Sequence, residues 1–344
     1  MTPRVVVWAT GRTGKALLRT VIADPDLELA GVLVYSDAKD GVDAGELVGL
    51  PRTGVITTTD KSAIAGLDAD VVCMAPRGNN RDETLDRDVL TLLEAGKNVI
   101  STRGYHYPMV VDADYARIFD DAGKAGGATL LGIGNNPGFV GERLLTTLTG
   151  GCLSVSALSL VETYDCSHID ASTAGRMGFG ASPGEFRAEA IVPAYEFLYS
   201  HTLHFVCAQL GKSVQGMHTH AEATATEVAL EGLSVPVRAG TVRAIHLRFT
   251  AVVDDRDFFT MENRWFVGEP PAGWDRDTGW TLRTAGEPPF VLRLNYDGVT
   301  PDVGSKAFLP ALFRNAIPVV VAAAPGLLLP TVFAPFAVDQ RSLV

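Results

Sequence analysis

This sequence contains no CxxC pair and no two cysteines at a metal-ligating spacing: Cys73, Cys152, Cys166 and Cys207 are scattered through its 344 residues. That argues against a disulfide framework or a zinc site and points to a reduced, cytoplasmic setting. A clustered basic face is also missing. At a formal net charge of -11 the chain has little to offer nucleic acid or an acidic membrane surface, which leaves small molecules as its partners. The N-terminus lacks the charged and then apolar pattern of a secretory signal. One long uncharged run, Ala316 to Val338, is nominally of membrane length. Pro318, Pro325, Pro330 and Pro335 interrupt it, so it reads as a buried, broken core segment. What is present, 47% hydrophobic and 20% charged residues, is the balance of a globular protein with room for two domains.

The stretch that organises the chain is Val5-Val6-Val7-Trp8-Ala9-Thr10-Gly11-Arg12-Thr13-Gly14-Lys15. A β-branched run enters a glycine turn and leaves as a segment with apolar residues at helical spacing, the strand-turn-helix outline of a dinucleotide site. Gly11 lets the backbone approach a pyrophosphate and Gly14 lets the helix lie close to the strand. Ala9 stands where this pattern usually has its first glycine. Ala9, Thr10, Gly11, Arg12, Thr13 and Gly14 are therefore the first cofactor-binding candidates.

Beyond the turn, Leu27 to Tyr35, Gly54 to Thr57, Asp70 to Ala75, Asn98 to Thr102 and Ala128 to Leu131 read as strands alternating with helices. This predicts an α/β Rossmann domain, a doubly wound parallel sheet, over residues 1–138. Ligands bind such a sheet outside the carboxyl ends of its strands. That rim gathers Tyr35, Ser36 and Lys39, then Pro76 to Asn80 with Ala75 and Arg77, then Thr102 to Pro108 including Arg103, then Gly132 to Gly138 with Asn136 and Pro137. Where an acidic residue would hold the ribose diol of NAD, the second strand ends in Tyr35 and Ser36, with Lys39 and Arg12 in reach. NADP(H) is therefore favoured, with NAD(H) the alternative.

The glycine, asparagine and proline of residues 132–138 mark a hinge, and a helix is predicted over Val140 to Thr149. Residues 139–304 then read as an α+β domain with a largely antiparallel sheet, for substrate and dimerisation. Leu153 to Val161, Thr241 to Phe249, Phe258 to Phe266 and Phe290 to Tyr296 are its strands, and Glu185 to Leu210 a long helix. The tail from residue 305 to 344 begins helical and is expected to pack back on the first domain.

Taken together, WATGRTGKALLR, VYSDAKDGVDAGEL, GIGNNPGF, MGFG, GTVRAIHLRFTAVVD and RNAIPVVVAAAPGLL resemble the dihydrodipicolinate-reductase-like proteins. Among these the chain is most similar to the branch of 2,4-diaminopentanoate dehydrogenase and the native amine dehydrogenases. The resemblance implies a nicotinamide cofactor, reduction of a C=N bond or its reverse, a homodimer, and an active site between the domains. One departure stands out. Amine dehydrogenases of this type carry a glutamate in the loop after the fifth strand, and this sequence has Arg103-Gly104-Tyr105-His106-Tyr107-Pro108 there. Reductive amination with free ammonia loses support, and reduction of a carbonyl or preformed imine gains it.

A ketone needs a proton donor to its developing alkoxide, and an iminium does not. Tyr105, His106 and Tyr107 are the donor candidates from the first domain; Glu162, Tyr164 and His168 are candidates from the second. His218 and His220 share a strand face without a third ligand and read as solvated, so no metal is expected. Cys166 has no evident base and makes a poor nucleophile. The function expected is an NAD(P)H-dependent reductase of a C=N or C=O bond of a small, largely apolar substrate. The alternatives are a ketone or alcohol reductase without amine chemistry and a catalytically silent NADP(H)-binding regulator.

Overall fold

The computed structural model describes residues 2–78, 81–231, 237–299 and 301–330. Asn79 and Asn80 of the rim, and the part of the uncharged run beyond Pro330, lie outside these. Residues Met1–Phe139 with Lys306–Pro330 form one compact unit and Val140–Ser305 the other.

The first unit begins with β1 (Arg4–Trp8), α1 (Arg12–Ala23) and β2 (Glu28–Leu33). It continues through α2 (Ala44–Leu47), α3 (Lys61–Gly66), β3 (Val71–Met74), α4 (Glu83–Glu94), β4 (Asn98–Ser101), α5 (Ala113–Gly126) and β5 (Thr129–Gly132). The strand expected over Gly54 to Thr57 does not form. Its backbone makes only isolated bridges, Ile56 with Asp43 and Thr58 with Leu33. Asp43 is the reason: its buried carboxylate takes the amides of Thr53 at 3.0 Å and Gly54 at 2.8 Å, so these donors never enter a ladder. The loop of residues 103–108 accordingly follows the fourth strand.

In the second unit the helix expected over Val140 to Thr149 starts as a turn of π-helix over Val140–Leu145 and tightens into α6 (Thr146–Thr149). The wide turn holds Glu142, fully buried, whose carboxylate accepts the Thr202 hydroxyl at 2.6 Å. There follow β6 (Ser154–Asp165), α7 (Ala171–Met177), α8 (Ala188–Gln209), β7 (Gly216–Ala225), β8 (Val242–Val253), β9 (Arg256–Phe266), β10 (Gly279–Glu287) and β11 (Phe290–Asn295). The sheet order is β11-β10-β6-β9-β8-β7, antiparallel except for the β6–β9 pair.

Helix α9 (Pro301–Ala322) continues through Pro310 and Pro318 and leads to β12 (Gly326–Leu328). Among the described residues no helix is long and apolar enough to cross a membrane. Strand β12 pairs in parallel with β5 and completes a six-stranded, fully parallel sheet ordered β12-β5-β4-β3-β1-β2. Strand alternation splits its core in two. Val6, Trp8, Val72, Met74, Val99 and Leu130 pack with Leu85, Val89, Leu93 and Phe119 of α4 and α5. Val5, Val7, Val71, Cys73 and Ile100 pack with Leu17 and Leu18 of α1 and with Phe313, Ile317 and Val320 of α9. Strand order reverses around β1, whose neighbours are β2 and β3, and such a switch point opens a crevice at the carboxyl ends.

Candidate functional site

Three of the helices that cover the first sheet begin with an aspartate that caps its own amides: Asp60 for α3, Asp82 for α4 and Asp112 for α5. Helix α1 does not. Its cap is Gly11, in extended conformation and without a side-chain hydrogen bond, and its first turn carries no acid. A helix start without a side-chain cap or an acid suits an anion. The approach to its amides is tight: a β-carbon on Gly14 would lie 1.8 Å from the Ala9 carbonyl oxygen, and Ala9 itself holds φ 80°. Gly11 has open space where its side chain would be.

A cavity of about 460 Å³ opens at this turn. Ala9, Thr10, Gly11, Tyr35, Ser36, Lys39, Ala75, Pro76, Arg77 and Arg103 line it, ten of the residues singled out from the sequence. Strands β1, β3 and β4 end in register, which brings their loops to one rim. Lys39 Nζ donates to the Thr10 carbonyl at 3.0 Å, and burial, then Lys15 and Arg77, pull its pKa down. A cation held among cations calls for an anion. Tyr35, 56% exposed, is steadied by Trp8 Nε1 donating to its hydroxyl at 2.8 Å. Arg103 is buried and donates through Nη1 to the Arg77 carbonyl. The lining also includes Lys61, Thr84, Leu85, Asp82 and Asp88, which the sequence reading does not single out. Lys61 pairs with Asp88 at 2.6 Å.

Thr13 and Gly14 occupy the first turn of α1 with Arg12, which is exposed, and Thr102 continues from β4. The loops after β4 and β5 press together at glycines: a β-carbon on Gly132 would stand 2.3 Å from the His106 amide nitrogen, and one on Gly138 3.1 Å from the His106 ring. Near Pro137 the Asn136 side-chain amide is buried, and neither its nitrogen nor its oxygen has a hydrogen-bond partner. An orphaned buried amide on this rim fits a ligand that both donates and accepts. The uncapped amides, the crowded cations and this amide together fit a nicotinamide dinucleotide.

The three donor candidates of the loop separate. Tyr105 is 2% exposed and its hydroxyl donates to Asp86 at 2.7 Å, while Tyr115 donates to the same carboxylate at 3.0 Å. Tyr105 belongs to the core and is withdrawn as a proton donor. Burial pulls the His106 imidazole down to about 4, so it is neutral at pH 7. Tyr107 is half-buried, and burial raises its pKa, which keeps the phenol protonated.

In the second unit Glu162 on β6 is half-buried and accepts three neutral N–H groups: Asn263 Nδ2 at 3.1 Å and Trp265 Nε1 at 3.0 Å on Oε1, and Trp280 Nε1 at 2.8 Å on Oε2. Register explains the convergence, because Asn263 and Trp280 sit directly opposite Glu162 on β9 and β10 and Trp265 is two residues along the same face. Tyr195 lies 4.9 Å from Trp265 and 6.0 Å from Tyr199, and Tyr296 lies 6.1 Å from Trp280, between ring centroids. Burial, and then the Glu162 charge, push the Tyr195 and Tyr199 hydroxyls up. Tyr164 is half-buried nearby on β6, and His168 is exposed in the following turn. Only the register could have revealed this group, since Asn263, Trp265 and Trp280 lie more than a hundred residues from Glu162. Burial raises the Cys166 thiol well above its usual range, which removes it as a nucleophile. His218 and His220 are largely exposed on β7.

The family of the 2,4-diaminopentanoate dehydrogenase C-terminal domain matches residues 139–338, and that of the dihydrodipicolinate reductase N-terminus matches residues 3–74. An amine dehydrogenase of Streptomyces virginiae is 25% identical over 341 residues, 94% of this chain and 93% of that protein. The 2,4-diaminopentanoate dehydrogenase of Acetoanaerobium sticklandii is 25% identical over 53% of this chain and 52% of its own length. The solved structure of an amine dehydrogenase from Mycobacterium smegmatis superposes with a TM-score of 0.77 at 20% identity, covering 95% of both chains, a likeness of fold. With the first match covering more than half its length, the chain belongs to the 2,4-diaminopentanoate dehydrogenase family of NAD(P)-dependent oxidoreductases.

Proposed function

We propose that this member of the family is an NADP(H)-preferring reductase of a C=N or C=O bond in a small, largely apolar substrate. The observation that carries the reading is the cavity at the uncapped end of α1, with Lys39 and Arg77 on its wall. A nicotinamide dinucleotide, when bound, supplies or accepts a hydride. The amides of Arg12 to Gly14 face its diphosphate, Ser36, Lys39 and Arg77 its 2′-phosphate, the exposed ring of Tyr35 its adenine, and the Asn136 amide its carboxamide.

Tyr107 is the proton donor in this reading: it is half-buried, whereas the Tyr105 hydroxyl is committed to Asp86 in the core. Tyr164 and His168 remain substrate-side candidates. The loop of residues 103–108 contains no carboxylate, which favours a carbonyl or preformed imine over free ammonia. The same observation favours the second reading, a silent NADP(H)-binding regulator. The reading includes a homodimer, with the second unit's sheet as the candidate surface, and light scattering on the full chain checks it.

NADPH oxidation followed with a panel of ketones, with and without added amines, tests the reading. The expected result is turnover of at least one substrate, with Tyr107→Phe lowering kcat about 100-fold and leaving NADPH affinity unchanged. Tight NADPH binding without turnover of any substrate assigns the protein to the regulatory class.

A further inference from the structure

We infer that Trp8 is a positioning residue of the cofactor cavity: its indole N–H fixes the Tyr35 ring as the platform on which the base of the dinucleotide stacks. The inference rests on the reading of that cavity as a nicotinamide dinucleotide site. Trp8 is the last residue of β1, is 1% exposed, and packs in the core with Leu33, Ile64, Met74 and Leu85. It opposes Leu33 in the pairing of β1 with β2, and Tyr35 follows two residues later. A packed indole cannot swing, so its N–H needs a fixed partner. The Tyr35 hydroxyl accepts it at 2.8 Å.

The indole is held in turn. Lys61, the first residue of α3, places its ammonium 5.9 Å from the centre of the Trp8 ring, and Asp88 of α4 pairs with that ammonium at 2.6 Å. Asp88, Lys61, Trp8 and Tyr35 therefore form one chain of contacts, drawn from α4, α3, β1 and the loop after β2. Three of its four members line the cavity, and Trp8 is the buried link between them.

The consequence falls on Tyr35. A single exposed aromatic side chain is ordinary on a protein surface. This one has its hydroxyl anchored to a buried indole while 56% of the residue stays exposed on the cavity wall, beside Ser36 and Lys39. The neighbouring cations attract phosphate, whereas an aromatic face takes a planar base. A ring already fixed in place also spares the entropy that a mobile side chain loses when a ligand orders it.

The test is calorimetric titration of the full chain with NADPH and with NADH. The base is common to both nucleotides and the 2′-phosphate is not, so loss of a platform lowers both affinities by one factor and leaves their ratio unchanged. Tyr35→Ala is expected to weaken both about tenfold. Tyr35→Phe keeps the ring and loses the acceptor, and Trp8→Phe keeps a packed ring and loses the donor. Each should weaken both nucleotides about threefold, and the double variant should be no weaker than either single one, because both remove the same bond. Wild-type affinity in Tyr35→Ala overturns the platform. Wild-type affinity in Tyr35→Phe and Trp8→Phe, or losses that add in the double variant, overturn the role of Trp8. A loss confined to NADPH also overturns the inference and assigns the Tyr35 hydroxyl to the 2′-phosphate. If Trp8→Phe fails to fold in a thermal melt, the comparison of Tyr35→Phe with wild type decides. If Lys39→Ala weakens NADPH alone while the Tyr35 variants bind like wild type, the inference falls and the dinucleotide reading stands; folded wild type that binds neither nucleotide removes both.

Discussion

A β-carbon placed on Gly14 would stand 1.8 Å from the carbonyl oxygen of Ala9, so α1 and β1 meet backbone to backbone where the helix amides open. No rotamer relieves such a contact, because the backbone fixes the position of a β-carbon and the atom it meets is a main-chain oxygen. Gly14→Ala is expected to cost about 2–3 kcal/mol of stability and to abolish dinucleotide binding by pushing the turn away from the helix. Chemical denaturation and NADPH titration check the two effects together; wild-type affinity in a folded Gly14→Ala protein contradicts the account.

Ala9 makes a second case, because its φ of 80° lies where side chains are disfavoured. Ala9→Gly relieves that strain and adds chain entropy to the unfolded state, so its melting temperature should match or slightly exceed that of wild type. Ala9→Val adds a β-branched side chain in the same conformation and is expected to destabilise by about 2 kcal/mol. Paired thermal melts decide the matter.

Asp86 separates structure from chemistry in the loop after β4. Asp86→Ala leaves the buried hydroxyls of Tyr105 and Tyr115 without their acceptor, at an expected cost of about 2–4 kcal/mol. Tyr105→Phe removes one donor, should cost about 1 kcal/mol, and should leave kcat unchanged. A large fall in kcat for Tyr105→Phe would return that residue to the reaction.

The second unit has a titratable clamp on the sheet face opposite Glu162. His246 Nδ1 lies 3.0 Å from Glu222 Oε1 and Nε2 2.9 Å from Glu262 Oε2, with Arg264 and Arg248 on Glu262 as well. Hydrogen bonding to Glu262 and then Glu222 raises the His246 pKa against its burial. Glu262, bonded to His246 and Arg264, is held down at about 2. A raised histidine stabilises fully below its unfolded value of about 6.5 and loses that contribution as pH rises through the folded value. A depressed glutamate contributes above its unfolded value of about 4.3 and loses the contribution as pH falls through the folded value. The stability difference between wild type and His246→Gln should be greatest between about pH 4.5 and 6.5 and shrink toward pH 9. A difference that does not vary with pH contradicts the clamp.

Much of the first unit is legible in the sequence. The run from Val5 to Lys15 states its strand, turn and helix through β-branching, glycines and apolar spacing, and the later strands of this sheet are short continuous apolar runs. Features made by distant side chains are not legible. Asp43 takes the amides of Thr53 and Gly54 at the start of the strand expected over Gly54 to Thr57, and Asp86 accepts the Tyr105 hydroxyl in the core. Strand β10 contains Gly279 and Gly286 and does not announce itself, whereas β7, read from the sequence only as the strand that carries His218 and His220, alternates weakly through Met217, Ala221, Ala223 and Ala225. Glu162 is visible as an acid near a strand end, but Asn263, Trp265 and Trp280 reach it only through the register of β6 with β9 and β10.

The central claim is that a nicotinamide dinucleotide lies at the open end of α1 with its 2′-phosphate among Ser36, Lys39 and Arg77. The most direct test is calorimetric titration of wild type and Lys39→Ala with NADPH and NADH at fixed ionic strength. The account predicts that wild type binds NADPH more tightly than NADH. It further predicts that Lys39→Ala weakens NADPH about tenfold or more and leaves NADH nearly unchanged. Binding of neither nucleotide to folded wild-type protein would contradict the account.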